Sequence, residues 1–402
     1  MPAPPTITTA PPEFELLLDA VLGRRPGRAD VTGWDAARWQ AALHAAEWHR
    51  LSPMLWRWCA ALPGVPAAVL EQLEAAYLAN SARNMYVSAS LRRVLAALDA
   101  AGVPAMTLKG AALLEIAYPD PALRELLDLD LLVPADALGV ARDALQAIGF
   151  GQGDNGSGEP QTAALHAAEH HDAALVAETA ILAVELHHHV ALAAEGADFD
   201  IGGFWARAQP AAGGAAHLLP SPEDLLLHIC VHFVRNRLGG SHRRSGTGGA
   251  LAQLRDVAEV LEHQTVDWDR LAAIACEYRL DTRVHLALFA AREVGVGVPG
   301  EALALLEPKG FDARLGRRLV ALRVLRAGPQ VPVRSLRFIV APGRDVLEHG
   351  WDGRGTGASL ARAYVRRAVA KAPLTGAALR RPRAVLQDYR LNGQIRGLEQ
   401  RD

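Results

Sequence analysis

A chain of 402 residues can hold two to three modules and bury a large core. Half of it is hydrophobic and 21% is charged, the balance of a globular protein, and a formal net charge of −2 gives no general attraction for nucleic acid. Cys59, Cys230 and Cys276 are odd in number and far apart, which argues against a disulfide framework and for a reducing cytoplasm. The N-terminus, Met-Pro-Ala-Pro-Pro-Thr, lacks the basic-then-apolar order of a signal peptide. With no run of about 18 apolar residues, no membrane span is expected. The Ala, Arg and Gly bias fits a high-GC bacterial genome.

Residues 1–12 read as a loose tail. From Glu13 to Leu98 apolar residues recur at helical spacing, with Pro53, Pro63 and Pro66 dividing the region into several helices and Ala101-Gly102 closing the last. Residues 103–107 read as a buried strand that runs into Lys109-Gly110, and Ala111 to Ala117 as a helix ended by the turn Tyr118-Pro-Asp-Pro121. Residues 128–133 form the next strand. Pro134 stops it, and Asp136 is placed to cap a helix through Ile148. Gly151 to Pro160 reads as a Gly-rich linker, without the order of a nucleotide-binding GxGxxG. The stretches 171–177 and 180–188 read as a hairpin. This β-α-β-α-β-β order predicts an α/β (α+β) fold, a small mixed sheet with helices packed on it.

Beyond it, Ser221-Pro222-Glu-Asp-Leu opens a helix with Pro at its first position. Gly239 to Gly249 is a basic loop, placed either to close over an anionic substrate or simply to link helices. Helices are expected over 250–263, 267–278 (capped by Asp267) and 281–294, with a weaker pattern after Pro299. Residues 360–402 hold ten Arg/Lys against three Asp/Glu. The expected organisation is a helical region over 1–100, an α/β core over 101–200, a helical domain over 201–300 and a basic, mostly helical extension over 301–402.

The chemistry concentrates in Leu127-Asp-Leu-Asp-Leu-Leu-Val133. Alternation puts Asp128 and Asp130 on one strand face and Leu129, Leu131 and Val133 on the other, which reads as core. Two neighbouring carboxylates repel, so removing one is expected to raise the metal-free melting temperature. Such a pair suits a divalent cation, and oxygen ligands of this kind suit Mg²⁺ bound with substrate phosphates. In Ile181-Leu-Ala-Val-Glu-Leu-His187 the alternation puts Glu185 and His187 on one face, opposite Leu182, Val184 and Leu186.

The ordered run Leu-Lys109-Gly110-Ala-Ala-Leu, Tyr118-Pro-Asp-Pro-Ala-Leu-Arg124 and Asp128-Leu-Asp130-Leu-Leu-Val resembles the uncharacterised nucleotidyltransferase family of bacteria, a branch of the DNA-polymerase-β-like superfamily. The resemblance continues through Val184-Glu-Leu-His187 and Pro222-Glu-Asp-Leu-Leu-Leu-His228 and fades after about residue 300. It implies an enzyme that moves a nucleoside monophosphate from an NTP, with ATP the default donor, to a hydroxyl or amine of a small molecule or protein. It implies two Mg²⁺ ions, or Mn²⁺, held by Asp128, Asp130 and Glu185, the last also helping to deprotonate the acceptor. Lys109 and Gly110 stand where most of the superfamily has Gly-Ser, and are expected with the following helix N-terminus to meet the triphosphate. Glu185 replaces the commoner Asp. Arg124 is expected either to clamp a phosphate or brace an Asp, or to form an ordinary salt bridge.

Other readings compete. The same site could transfer the γ-phosphoryl group, making a kinase, or the fold could be a non-catalytic nucleotide-binding scaffold. His170, His171, His187, His188 and His189 raise a zinc site, with His187 and His189 on one face; the hard oxygen character of the Asp pair speaks against it and leaves His187 to assist Glu185 or contact substrate. His228 and His232 have metal-ligand spacing, but buried histidines with backbone partners are the expectation there.

Overall fold

The computed structural model describes residues 12–22, 31–152, 175–177, 182–190, 200–212, 216–238 and 249–325. The loops at 153–160 and 239–248, His170, His171 and the basic C-terminal run lie outside the described residues.

Four helices precede the sheet: α1 (Pro12–Val21), α2 (Ala36–His49), α3 (Ser52–Cys59) and α4 (Ala67–Ala100). The prolines act as expected. Pro53 sits in the first turn of α3, where its missing N–H costs nothing, and Pro66 is the residue before α4. With neither Gly nor Pro inside it, α4 runs for 34 residues. It ends at Ala101, and Gly102 follows at φ +68°, a left-handed position glycine adopts without strain.

The sheet has seven strands: β1 (Met106–Thr107), β2 (Asp128–Leu132), β3 (Phe150–Gln152), β4 (Leu175–Ala177), β5 (Ala183–His187), β6 (Gln209–Pro210) and β7 (Leu218–Leu219). Their order is β3-β4-β5-β2-β1-β7-β6, with β2 parallel to β5 and antiparallel to β1. Between the strands lie α5 (Lys109–Ile116), α6 (Leu138–Ala147) and α7 (Ile201–Ala206). The hairpin expected over 171–188 is β4 and β5. The Gly-rich linker, in contrast, begins with a strand: Phe150 buries its ring, and β3 pairs with β4 at the sheet edge. Asp136 lies in a 3₁₀ turn, and α6 starts after it with no side-chain cap.

The two sheet faces have different fates. Leu129, Leu131, Val184 and Leu186 are fully buried and pack with Val87, Val94, Leu95 and Leu98 of α4 and with Ala141 and Leu145 of α6. Each such side chain contributes about 1.5–3 kcal/mol on leaving water. The opposite face carries Asp128, Asp130, Glu185 and His187, and on that side lie α5 and α8 (Pro222–Phe233). α8 starts as its sequence predicts, with the Ser221 hydroxyl accepting from the Asp224 N–H and Pro222 in the first turn. It is followed by a π-helical turn (Val234–Leu238), then α9 (Ala250–His263), α10 (Trp268–Glu277, capped by Asp267), α11 (Asp281–Glu293), α12 (Gly300–Leu305) and α13 (Ala313–Arg323). α9 packs against α1, α2 and α5, so the N-terminal helices and those after the sheet share one core. Among the described residues, no helix is long and apolar enough to cross a membrane.

Candidate functional site

β2 and β5 run parallel with Asp130 opposite Glu185 and Leu132 opposite His187. Side chains at paired positions share a face, so strand register alone brings the two acids together. One ligand atom each of Asp130, Glu185 and His187 lies within 4.8 Å of the others, and all three residues are buried. His187 Nε2 lies 2.6 Å from Asp130 Oδ1 and 3.6 Å from Glu185 Oε2. Asp128 stands one strand repeat away, half-buried, outside this close group.

Lys109 reaches the same carboxylate. Its Nζ donates to Asp130 Oδ1 at 2.6 Å, with only 11% of the side chain exposed. Two observations explain the aim. The Leu108 N–H donates to the Asp130 carbonyl at 3.0 Å, which continues the β1–β2 ladder. Lys109 itself then takes φ +43° as α5 begins. A left-handed non-glycine costs about 1–2 kcal/mol and tends to persist at functional sites. Burial alone would raise the Asp130 carboxyl; Lys109 and His187 overcome it and hold Asp130 well below the usual carboxylate range. The repulsion expected from the Asp pair is therefore met at Asp130 by two partners.

Gly110 has a packing role. A Cβ there would collide with Leu126 and with the Arg124 guanidinium. Arg124 is half-buried, and its fork grips Asp256 of α9, Nε to Oδ1 at 2.8 Å and Nη2 to Oδ2 at 2.9 Å. The Tyr118 hydroxyl donates to the same Oδ1 at 2.8 Å. The salt bridge expected as one reading of Arg124 is present, and its bidentate geometry ties the segment before β2 to α9. Asp128 lies within the reach of its charge.

The histidines divide. β5 ends at His187, so the alternation that would carry His189 beside it stops there. His228 and His232 depart from the expectation of backbone partners. Neither ring nitrogen of His228 has a hydrogen-bond partner, and His232 meets the side chains of Arg235 and Asn236. A second carboxylate–histidine group, Glu259, Glu262 and His263, is bridged internally: Arg255 donates to both glutamates at 2.6–3.1 Å.

Sequence reasoning missed Asp256, the partner of Arg124, and two asparagines of α4. Asn80 and Asn84 donate to the carbonyls of Pro121, Ala122 and Arg124 and so hold the approach to β2. Two amides four residues apart inside a long helix were the available signal.

Two carboxylates and an imidazole within 4.8 Å, one carboxylate held ionised, are a donor set that fits a divalent cation. Fold and site together give an α+β core with a buried carboxylate–lysine centre. The model of the uncharacterised nucleotidyltransferase family matches residues 35–295, and the chain belongs to that family. Comparisons with curated proteins and with solved structures find no match.

Proposed function

We propose that the chain transfers a nucleoside monophosphate from an NTP, with ATP as donor, to a hydroxyl or amine acceptor and releases pyrophosphate. The observation that carries this reading is the convergence of Asp130, Glu185 and His187 on paired strands, with the Lys109 ammonium on the same carboxylate. In this reading Asp130, Glu185 and His187 hold one divalent ion and Asp128 helps to hold a second, with Mg²⁺ or Mn²⁺ as the metal. Bound there, the metal would neutralise charge on the triphosphate and on the attacking and leaving oxygens.

The protein's own groups do the rest. Lys109 turns from Asp130 to the phosphates, where a compact ammonium offsets charge developing on the leaving pyrophosphate. Glu185 accepts the proton of the acceptor hydroxyl or amine through the carboxylate oxygen that it does not give to the metal. The buried leucines of β2 and β5 and the Arg124–Asp256 pair keep the strands fixed during transfer. The catalytic centre is assigned to the sheet region.

The test is incubation with each NTP, Mg²⁺ or Mn²⁺ and a metabolite or lysate pool, with mass spectrometry of the products. Pyrophosphate and an acceptor heavier by a nucleoside monophosphate are expected. Release of nucleoside diphosphate instead would overturn nucleotidyl transfer in favour of phosphoryl transfer.

A further inference from the structure

α8 turns one face towards the site. His228 and His232 stand four residues apart, one helical turn, so their rings lie on the same side of α8. α8 packs against α5, the helix that Lys109 opens. His228 is 1% exposed, and neither of its ring nitrogens has a hydrogen-bond partner. Its ring lies in the field of Lys109, His187, Asp130 and Arg235. His232 is braced instead: Arg235 Nη2 lies 3.1 Å from its Nδ1, and the Asn236 amide 2.8 Å from its Nε2. Both bracing residues come from the π-helical turn Val234–Leu238, a distortion frequent at functional sites.

A buried polar ring with no partner is costly to keep, and an apolar ring of similar shape would avoid the cost. The charge around His228 indicates what would satisfy it. The Lys109 and Arg235 cations act on its ring, and the Asp130 carboxylate that acts on it too is already bound by Lys109 and His187. Such a place favours an anion. We propose that His228 is a phosphate-binding residue, its ring N–H donating to the triphosphate from the α8 side while Lys109 meets it from the sheet side. His232, Arg235 and Asn236 form the bracing behind it. The proposal rests on the nucleotidyltransferase reading and adds to it a second wall of the phosphate site. Burial first, then Lys109 and His187, hold the His228 ring well below the ordinary histidine value, so it is neutral and carries one N–H. A neutral donor adds no repulsion to Lys109.

The experiment is calorimetry on the full chain with tripolyphosphate and with ATP, each with Mg²⁺. His228→Phe should fold, because an apolar ring replaces an unsatisfied polar one, and should bind tripolyphosphate at least about ten-fold more weakly. His228→Gln, which returns an N–H donor, should recover most of that loss. His228→Leu replaces the Phe variant should the larger ring not pack. Tripolyphosphate affinity within about two-fold of wild type in a folded Phe or Leu variant would remove His228 from the site while leaving the nucleotidyltransferase reading intact. A wild type that binds neither ATP nor tripolyphosphate would overturn that reading itself.

Discussion

Asp130 and Glu185 are register partners on adjacent parallel strands, and this pairing, with no help from a loop, sets both acids on one face of the sheet. Asp130 is also the more constrained of the two, because Lys109 and His187 both bind its Oδ1 at 2.6 Å. Removing it leaves a buried ammonium without a partner. Asp130→Ala is therefore expected to lower the metal-free melting temperature, since breaking one side of a buried pair costs about 3–5 kcal/mol. This reverses the rise expected from relieving Asp128–Asp130 repulsion. Half-buried Asp128 is the place where relief can still appear. Differential scanning calorimetry of the two alanine variants checks it, and an Asp130→Ala protein more stable than wild type would refute the account.

A metal held by Asp130 would compete with Lys109 for the same carboxylate oxygen. Lys109→Met should then raise the affinity for Mn²⁺ in the absence of nucleotide. It should lower the affinity for ATP by about ten- to a hundred-fold, the cost of one charged phosphate contact. The imidazole of His187 in the donor set also predicts that Mn²⁺ binds more tightly than Mg²⁺. Titration calorimetry with each ion and with ATP measures all three quantities. A Lys109→Met variant with weaker Mn²⁺ binding would show that the lysine supports the metal site and does not compete with it.

Much of the site was legible because strand alternation is a local signal. Asp128, Asp130, Glu185 and His187 share one sheet face as period 2 requires, and the leucines between them are buried. The caps at Ser221 and Asp267 were local in the same way. What escaped was long-range. Nothing near Arg124 announces Asp256, 132 residues later. β6 and β7 have two residues each, too few for alternation to show, and exist only because β1 leaves an edge for β7 to join. Lys109 was expected at the phosphates alone, since the left-handed turn that aims it at Asp130 has no signature in Leu-Lys-Gly.

Stability should depend on pH through the α8 histidines. His228 and His232 are both held well below 6.5, by burial first and then by Lys109 for His228 and by Lys109 and Arg235 for His232. As the pH falls below 6.5, the unfolded chain takes up protons that the folded one refuses. The stability they contribute is thus full above about pH 6.5 and is lost below it, by roughly 1.4 kcal/mol per pH unit for each histidine. Glu125, Glu259 and Glu293 are raised, mainly by burial, and act with the opposite sign above their ordinary range. The difference between wild type and His228→Phe cancels those contributions. Urea unfolding at pH 7 and 5.5 should show a shallower loss in the variant, and equal slopes would mean that the His228 ring is not held neutral.

The approach to Asp128 is held by one face of α4. Asn84 Nδ2 donates to the carbonyls of Pro121 and Arg124 at 2.6 and 2.8 Å, and Asn80 Nδ2 to those of Ala122 and Arg124 at 2.7 and 3.1 Å. Arg83 Nε adds the carbonyl of Leu126 at 2.8 Å. Positions 80, 83 and 84 are helical neighbours, so a single ridge of α4 satisfies a segment that forms no ladder of its own. Asn84→Leu removes two hydrogen bonds at a net cost of about 0.5–1.5 kcal/mol each, since the Arg124 carbonyl keeps Asn80 and the Pro121 carbonyl keeps the Arg124 N–H, and the buried Asn84 Oδ1, which itself lacks a partner, is also removed. The net expectation is a loss of about 1 kcal/mol in urea unfolding. It should come with faster amide exchange over residues 118–128 and with Mn²⁺ binding that is weakened less than by Asp130→Asn. Met85, the next residue on the same helix, is 72% exposed, and Met85→Ala should stay within about 0.5 kcal/mol of wild type. If Asn84→Leu matched Met85→Ala in stability and exchange, α4 would be only a lid on the sheet core, and the position of Asp128 would depend on β2 pairing alone.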